Sequence, residues 1–103
     1  MHRRLILLAF VVFMVVSSCG TSTEGKFGQE LFQATCAKCH SRDLGGGIGP
    51  AIGPQSNAAT ALSDEQIGNT IRIGPGRMPS FKQLSGDQID SLITYIRSVQ
   101  GGG

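Results

Sequence analysis

Cys36-Ala37-Lys38-Cys39-His40 restricts what this chain can fold into more than any other stretch of it. Its two thiols stand one helical turn apart, so both can bond to one flat group lying along a single helix face. The histidine beside the second thiol then reaches the centre of that group. Such a C-x-x-C-H run is the attachment sequence for c-type haem, each thiol adding across one vinyl group while the imidazole takes the iron. A C-x-x-C pair also serves as a redox disulfide or as half of a zinc site. No second cysteine pair follows, however, and the other histidine is His2, at the start of the chain.

That start reads as an address. His2, Arg3 and Arg4 give a basic opening, Leu5 to Val16 is unbroken apolar sequence, and Ser17 and Ser18 precede Cys19. The apolar run suits an export signal and falls short of the roughly 17 to 25 residues that cross a bilayer as a helix. Val16-Ser17-Ser18-Cys19 resembles the lipobox of bacterial lipoproteins, in which the cysteine is acylated and the peptide is cut just before it. An ordinary export signal also fits, with Val16 and Ser18 at the cleavage positions. Lipidation gives Cys19 a use, since it is the one cysteine outside the C-x-x-C-H pair. Export agrees with the pair itself, because bacteria attach haem covalently outside the cytoplasm.

The basic balance of the whole chain does not point to nucleic acid. Of nine Lys and Arg, Arg3 and Arg4 belong to the leader, which leaves seven against seven Asp and Glu, with no basic cluster among them.

Gly20 to Gly25 is small and polar and reads as a tether spanning on the order of 13 Å if disordered. Phe27, Leu31 and Ala34 recur at helical spacing, predicting a first helix from about Gly25 into the cysteine pair. Asp43 to Asn57 is rich in Gly and Pro and reads as a loop. Ser63 with Gln66 caps a short middle helix that Gly74-Pro75 stops. Ser85 with Gln88 opens a last helix with Ile89, Leu92, Ile93 and Ile96 on one face, ending at Gly101. No alternating strand pattern of useful length occurs, so the expected class is all-α. The expected division is a leader at 1–18, a lipidated cysteine and tether at 19–25, a domain at 26–100 and a disordered tail at 101–103.

A haem iron held by His40 needs a second axial ligand, and Met78 is the methionine that the sequence beyond the leader offers. Lone methionines usually fill cores. Here Pro79 biases Met78 away from helix, and Gly74 and Gly76 let the chain bend along a flat ring. Ligation by histidine and a thioether favours the reduced iron. It also fills both axial sites.

Taken together, GQELFQATCAKCH (28–40), DLGGGIGPAIG (43–53), GPGRMPSF (74–81) and LSGDQIDSLITYIRSV (84–99) resemble the small His/Met c-type cytochromes, among them lipid-anchored bacterial forms. The resemblance implies a cytochrome c fold, three main helices and loops wrapped around one covalent haem c. It implies His40 and Met78 as axial ligands, Cys36 and Cys39 as attachment points, and the Pro50 carbonyl as acceptor of the His40 ring proton. For Pro50, plain loop punctuation is the alternative role. The resemblance also implies close crossing of the first and last helices through Gly28, Phe32 and Tyr95. Many relatives carry a tryptophan or a lysine-rich face near the haem, whereas this chain has no tryptophan and scattered lysines. Arg42, Arg72 and Arg77 could pair with haem propionates or stay solvated.

The expected function is one-electron transport at the extracytoplasmic face of a membrane, on the periplasmic side in a Gram-negative cell. The resemblance implies a quinol-oxidising complex as donor and a terminal oxidase as acceptor. Once Leu5–Val16 and the rest of the leader are gone, apolar burial alone is marginal for so short a chain, so the haem should form part of the core and the apoprotein should be largely unfolded. A haem enzyme or gas sensor is the competing class. It would need an open iron site with polar groups above it, and no second histidine supplies them beyond the leader. A structural subunit of a membrane complex is a third reading.

Overall fold

The computed structural model describes residues 22–101, and every regular element among them is a helix. The expected leader at 1–18, the lipid site at Cys19, the beginning of the tether and the last two glycines lie outside the described residues. The helices are α1 Gly28–Thr35, α2 Ala37–His40, α3 Asn57–Ala61, α4 Asp64–Ile73 and α5 Gly86–Gln100.

Serine caps begin the last three of these helices, and each does so by satisfying amide protons that the first turn leaves free. Ser63 and Ser85 form full capping boxes with Gln66 and Gln88. Ser56 caps α3 by accepting from the Ala59 amide. That helix starts where the stretch read as loop ends, at Asn57, and goes unannounced because the sequence N-A-A-T-A carries no apolar period.

The first helix begins later than its spacing suggests. Phe27 is extended, with φ −144°, and the chain before it forms a turn in which the Lys26 amide donates to the Thr23 carbonyl at 3.1 Å. The expected tether is correspondingly shorter, since the Gln88 side-chain amide donates to the carbonyls of Thr23 at 2.7 Å and Lys26 at 3.1 Å. Polar, glycine-flanked sequence at 23–26 therefore lies docked on α5. The helix also breaks briefly at Cys36, which caps the separate turn α2 that carries Cys39 and His40.

The core forms where α1 crosses α5. Leu31 and Phe32 from α1 meet Ile89, Leu92 and Ile96 from α5, and Ile71 of α4 joins them. Phe32 and Tyr95 stack at a tilt with ring centroids 5.4 Å apart. Gly28 plays a different part from the close approach expected of it, for a Cβ there would meet nothing within 4 Å. What it supplies is a left-handed φ of +55° and an amide that donates to Ser91 Oγ at 2.8 Å, which ties the start of α1 to α5.

Arg97 fastens the remaining elements. Its guanidinium donates to Asp64 Oδ1 at 2.7 Å, to the Leu62 carbonyl at 2.6 Å and to the Ala58 carbonyl at 3.1 Å. Ala58 is the second residue of the one-turn helix α3, whose last four carbonyls lack helical partners of their own.

Candidate functional site

Cys36, Cys39, His40, Pro50 and Met78 line a single cavity of about 670 Å³. Three separate stretches meet there: α2 with its cysteines and histidine, the glycine-rich loop after it, and the loop between α4 and α5.

The glycine-rich loop is sewn to the end of α2. Gly46 N–H donates to the His40 carbonyl at 2.9 Å, Gly49 N–H to the Cys39 carbonyl at 2.8 Å, and Ser41 Oγ–H to the Gly46 carbonyl at 2.6 Å. Leu44, fully buried in a left-handed conformation with φ +65°, anchors the loop from below. These bonds bring the Pro50 carbonyl to 2.7 Å from His40 Nδ1. A carbonyl can only accept, so the bond puts a proton on Nδ1 and leaves Nε2 as the nitrogen that can turn to a metal. A metal-ligating imidazole takes this form, with its second nitrogen held by an acceptor.

Met78 is presented by a buckled loop. Its amide donates to the Pro75 carbonyl at 3.0 Å, and the loop is pulled back onto α4 by Phe81 N–H to the Ile71 carbonyl at 3.0 Å and Ser80 Oγ–H to the Arg72 carbonyl at 2.7 Å. Gly74 ends α4 in the left-handed region at φ +65°, where the backbone of Pro79 and Ser80 passes so close that a Cβ would lie 2.5 Å from it.

Cys36 and Cys39 form no disulfide with each other, and Cys36 is buried while Cys39 is partly exposed. Burial pushes the Cys36 thiol up, a contact with Thr35 Oγ1 at 3.3 Å opposes this, and the neighbouring Cys39 adds to it. Among the described residues no three His, Cys, Asp or Glu side chains gather as a metal site, so these cysteines and His40 do not converge as zinc ligands do.

Haem c suits this set of donors. The thiols lie three residues apart, at the N-cap of α2 and within it, the walls are mainly apolar, and a nitrogen and a thioether are at hand. Two exposed cations, Lys38 and Arg77, border the cavity, and among the described residues no Asp or Glu does. Arg42 and Arg72 do not line it.

Residues 23–96 match the family model described as cytochrome c oxidase, cbb3-type, subunit III. The chain belongs to the small c-type cytochromes. Cytochrome c6 of Cyanidium caldarium is 31% identical over 77 residues, covering 69% of this chain and 67% of that protein. Cytochrome c-551 of Bacillus subtilis (strain 168) is 25% identical over 89 residues, covering 73% and 77%. Among solved structures, the c-type cytochrome NirC superposes with a TM-score of 0.56 at 26% identity, over 72% of this chain and 85% of that one. The architecture is thus the cytochrome c fold, and the cofactor of this cytochrome is covalent haem c. It is an electron-transfer protein and not an enzyme. Among the described residues no helix is long and apolar enough to cross a membrane.

Three parts of the site region escape the sequence reading. Gly49, directly before Pro50, lies against the His40 ring; Gln88 holds the segment before α1; Arg97 ties α5 to α3 and α4. A glycine immediately before Pro50, in a loop expected to face His40, is the one signal that marks the first of them.

Proposed function

We propose that this cytochrome is a one-electron carrier with His40 and Met78 as axial ligands, anchored through an acylated Cys19 at the extracytoplasmic face of a membrane. In this reading it passes electrons from a quinol-oxidising complex to a terminal oxidase. The observation that carries the ligand assignment is the Pro50 carbonyl at 2.7 Å from His40 Nδ1, in the same cavity that Met78 lines.

Haem c supplies the Fe(II)/Fe(III) couple. Cys36 and Cys39 hold it, and the Pro50 carbonyl keeps the His40 proton on Nδ1 and strengthens Nε2 as a donor. The Met78 thioether favours the reduced state. With His40 and Met78 both holding the iron, nothing would have to bind or leave during turnover, which is what an electron carrier needs. Two acyl chains on Cys19 would give a stable anchor, at ~0.8 kcal/mol per buried methylene.

A redox titration of the purified protein tests the function, and mass spectrometry of its N-terminus tests the anchor. The expected results are a reversible one-electron curve, rapid reoxidation by oxidase-containing membranes, and a diacylglyceryl mass on Cys19. Reduced protein that those membranes fail to reoxidise would count against the carrier role, whatever the state of Cys19.

A further inference from the structure

We propose that Gly49 is a positioning residue that sets the plane of the His40 imidazole. The proposal rests on His40 being the haem ligand.

A Cβ built on Gly49 would lie 2.9 Å from His40 Cε1, 3.2 Å from Nδ1 and 3.4 Å from Nε2. Those three distances locate the contact. With ring bonds near 1.3 Å, an approach in the plane of the ring through Cε1 would leave both nitrogens about 3.8 Å away, whereas an approach above the face leaves them at about 3.2 Å. Gly49 therefore packs on the face of the imidazole. The Pro50 carbonyl, by contrast, holds the ring through Nδ1. One contact fixes where the ring points, and the other limits its rotation about that direction.

Gly49 has no room to withdraw. Its amide donates to the Cys39 carbonyl at 2.8 Å and its carbonyl accepts from Gly47 N–H at 2.9 Å, so both ends of the residue are tied within the loop and to α2. Its φ lies outside the left-handed region, so alanine would be free of backbone strain there and would act through its methyl group alone. The methyl can be accommodated only if the ring turns or shifts. Gly47, two residues earlier in the same loop, is the matched control. A Cβ there would make contacts of 3.4 Å and 3.5 Å, close to ordinary van der Waals distance, with the Cys39 carbonyl and Ser41 Oγ.

The orientation of an axial imidazole governs how its π system overlaps the iron orbitals, and so the anisotropy of the oxidised iron. The test compares the oxidised haem-loaded wild type, Gly49→Ala and Gly47→Ala by electron paramagnetic resonance and by the proton shifts of the haem methyl groups. The expected outcome is altered g values and a rearranged methyl pattern in Gly49→Ala alone, with Gly47→Ala overlaying the wild type. A Gly49→Ala spectrum that overlays the wild type would overturn the proposal. If Gly49→Ala takes up no haem, the reduced wild type decides. A strong Overhauser effect between the Gly49 α protons and His40 Hε1 is expected, and its absence overturns the contact. Failure of the ligand reading shows separately, as His40 ring protons that lack large paramagnetic shifts in the oxidised wild type.

Discussion

Gly74 and Pro79 approach so closely that a Cβ on Gly74 would stand 2.5 Å from the Pro79 carbonyl carbon. This contact closes the loop that offers Met78 to the cavity, and Gly74 makes it in a left-handed conformation that costs other residues roughly 1–2 kcal/mol. Gly74→Ala should therefore open the loop while leaving haem attachment at Cys36 and Cys39 intact. The expected sign is loss or weakening of the sulfur–iron(III) near-infrared band, with haem content per protein unchanged.

Gln88 serves two structures at once. Its side-chain oxygen completes the α5 capping box, and its amide protons hold the carbonyls of Thr23 and Lys26. Gln88→Glu keeps the cap and removes both donors, setting a carboxylate against two carbonyls. It should destabilise the haem-loaded protein by about 1–3 kcal/mol in denaturant unfolding. Amide exchange should accelerate at Lys26, whose N–H bonds to Thr23, more than within α5.

Arg97 donates to one carboxylate and to two main-chain carbonyls on other elements. The carboxylate partner Asp64 is exposed and contributes little by itself. The carbonyls are the costlier loss, because removal of the guanidinium strands them. Arg97→Ala should cost on the order of 2 kcal/mol, and Asp64→Asn well under 1 kcal/mol, by thermal or denaturant unfolding.

The cavity itself predicts the behaviour of the chain without haem. Without haem, a cleft of about 670 Å³ with mainly apolar walls fills with water, and the apolar side chains that line it lose the burial that a chain this short depends on. The apoprotein should be largely unfolded, so its two thiols should be alkylated at similar rates. If it kept the folded structure, burial and the raised thiol would protect Cys36 strongly relative to Cys39.

What the sequence reveals and what it hides divide along physical lines. Both capping boxes, the apolar face of α5 and the stop at Gly74 are local patterns, and they can be read as they stand. The bond from His40 to Pro50 joins residues ten apart and was legible only through resemblance. Contacts set by the fold left no local trace: the hold of Gln88 on Thr23, the reach of Arg97 to Ala58 and Leu62, and the packing of Gly49 on His40. α3 was invisible for another reason, being one turn long and without an apolar stripe. Periodicity marks a face and not an end, so it does not locate the start of α1: Phe27 belongs to that face while its backbone is extended.

The central claim is that His40 and Met78 together saturate the iron, and the oxidised optical spectrum tests it most directly. The account predicts the weak near-infrared band of a sulfur–iron(III) bond in the wild type, its disappearance in Met78→Ala, and no binding of carbon monoxide by the reduced wild type. A wild-type spectrum without that band, from protein that takes up carbon monoxide readily, would contradict it and point to an open iron face.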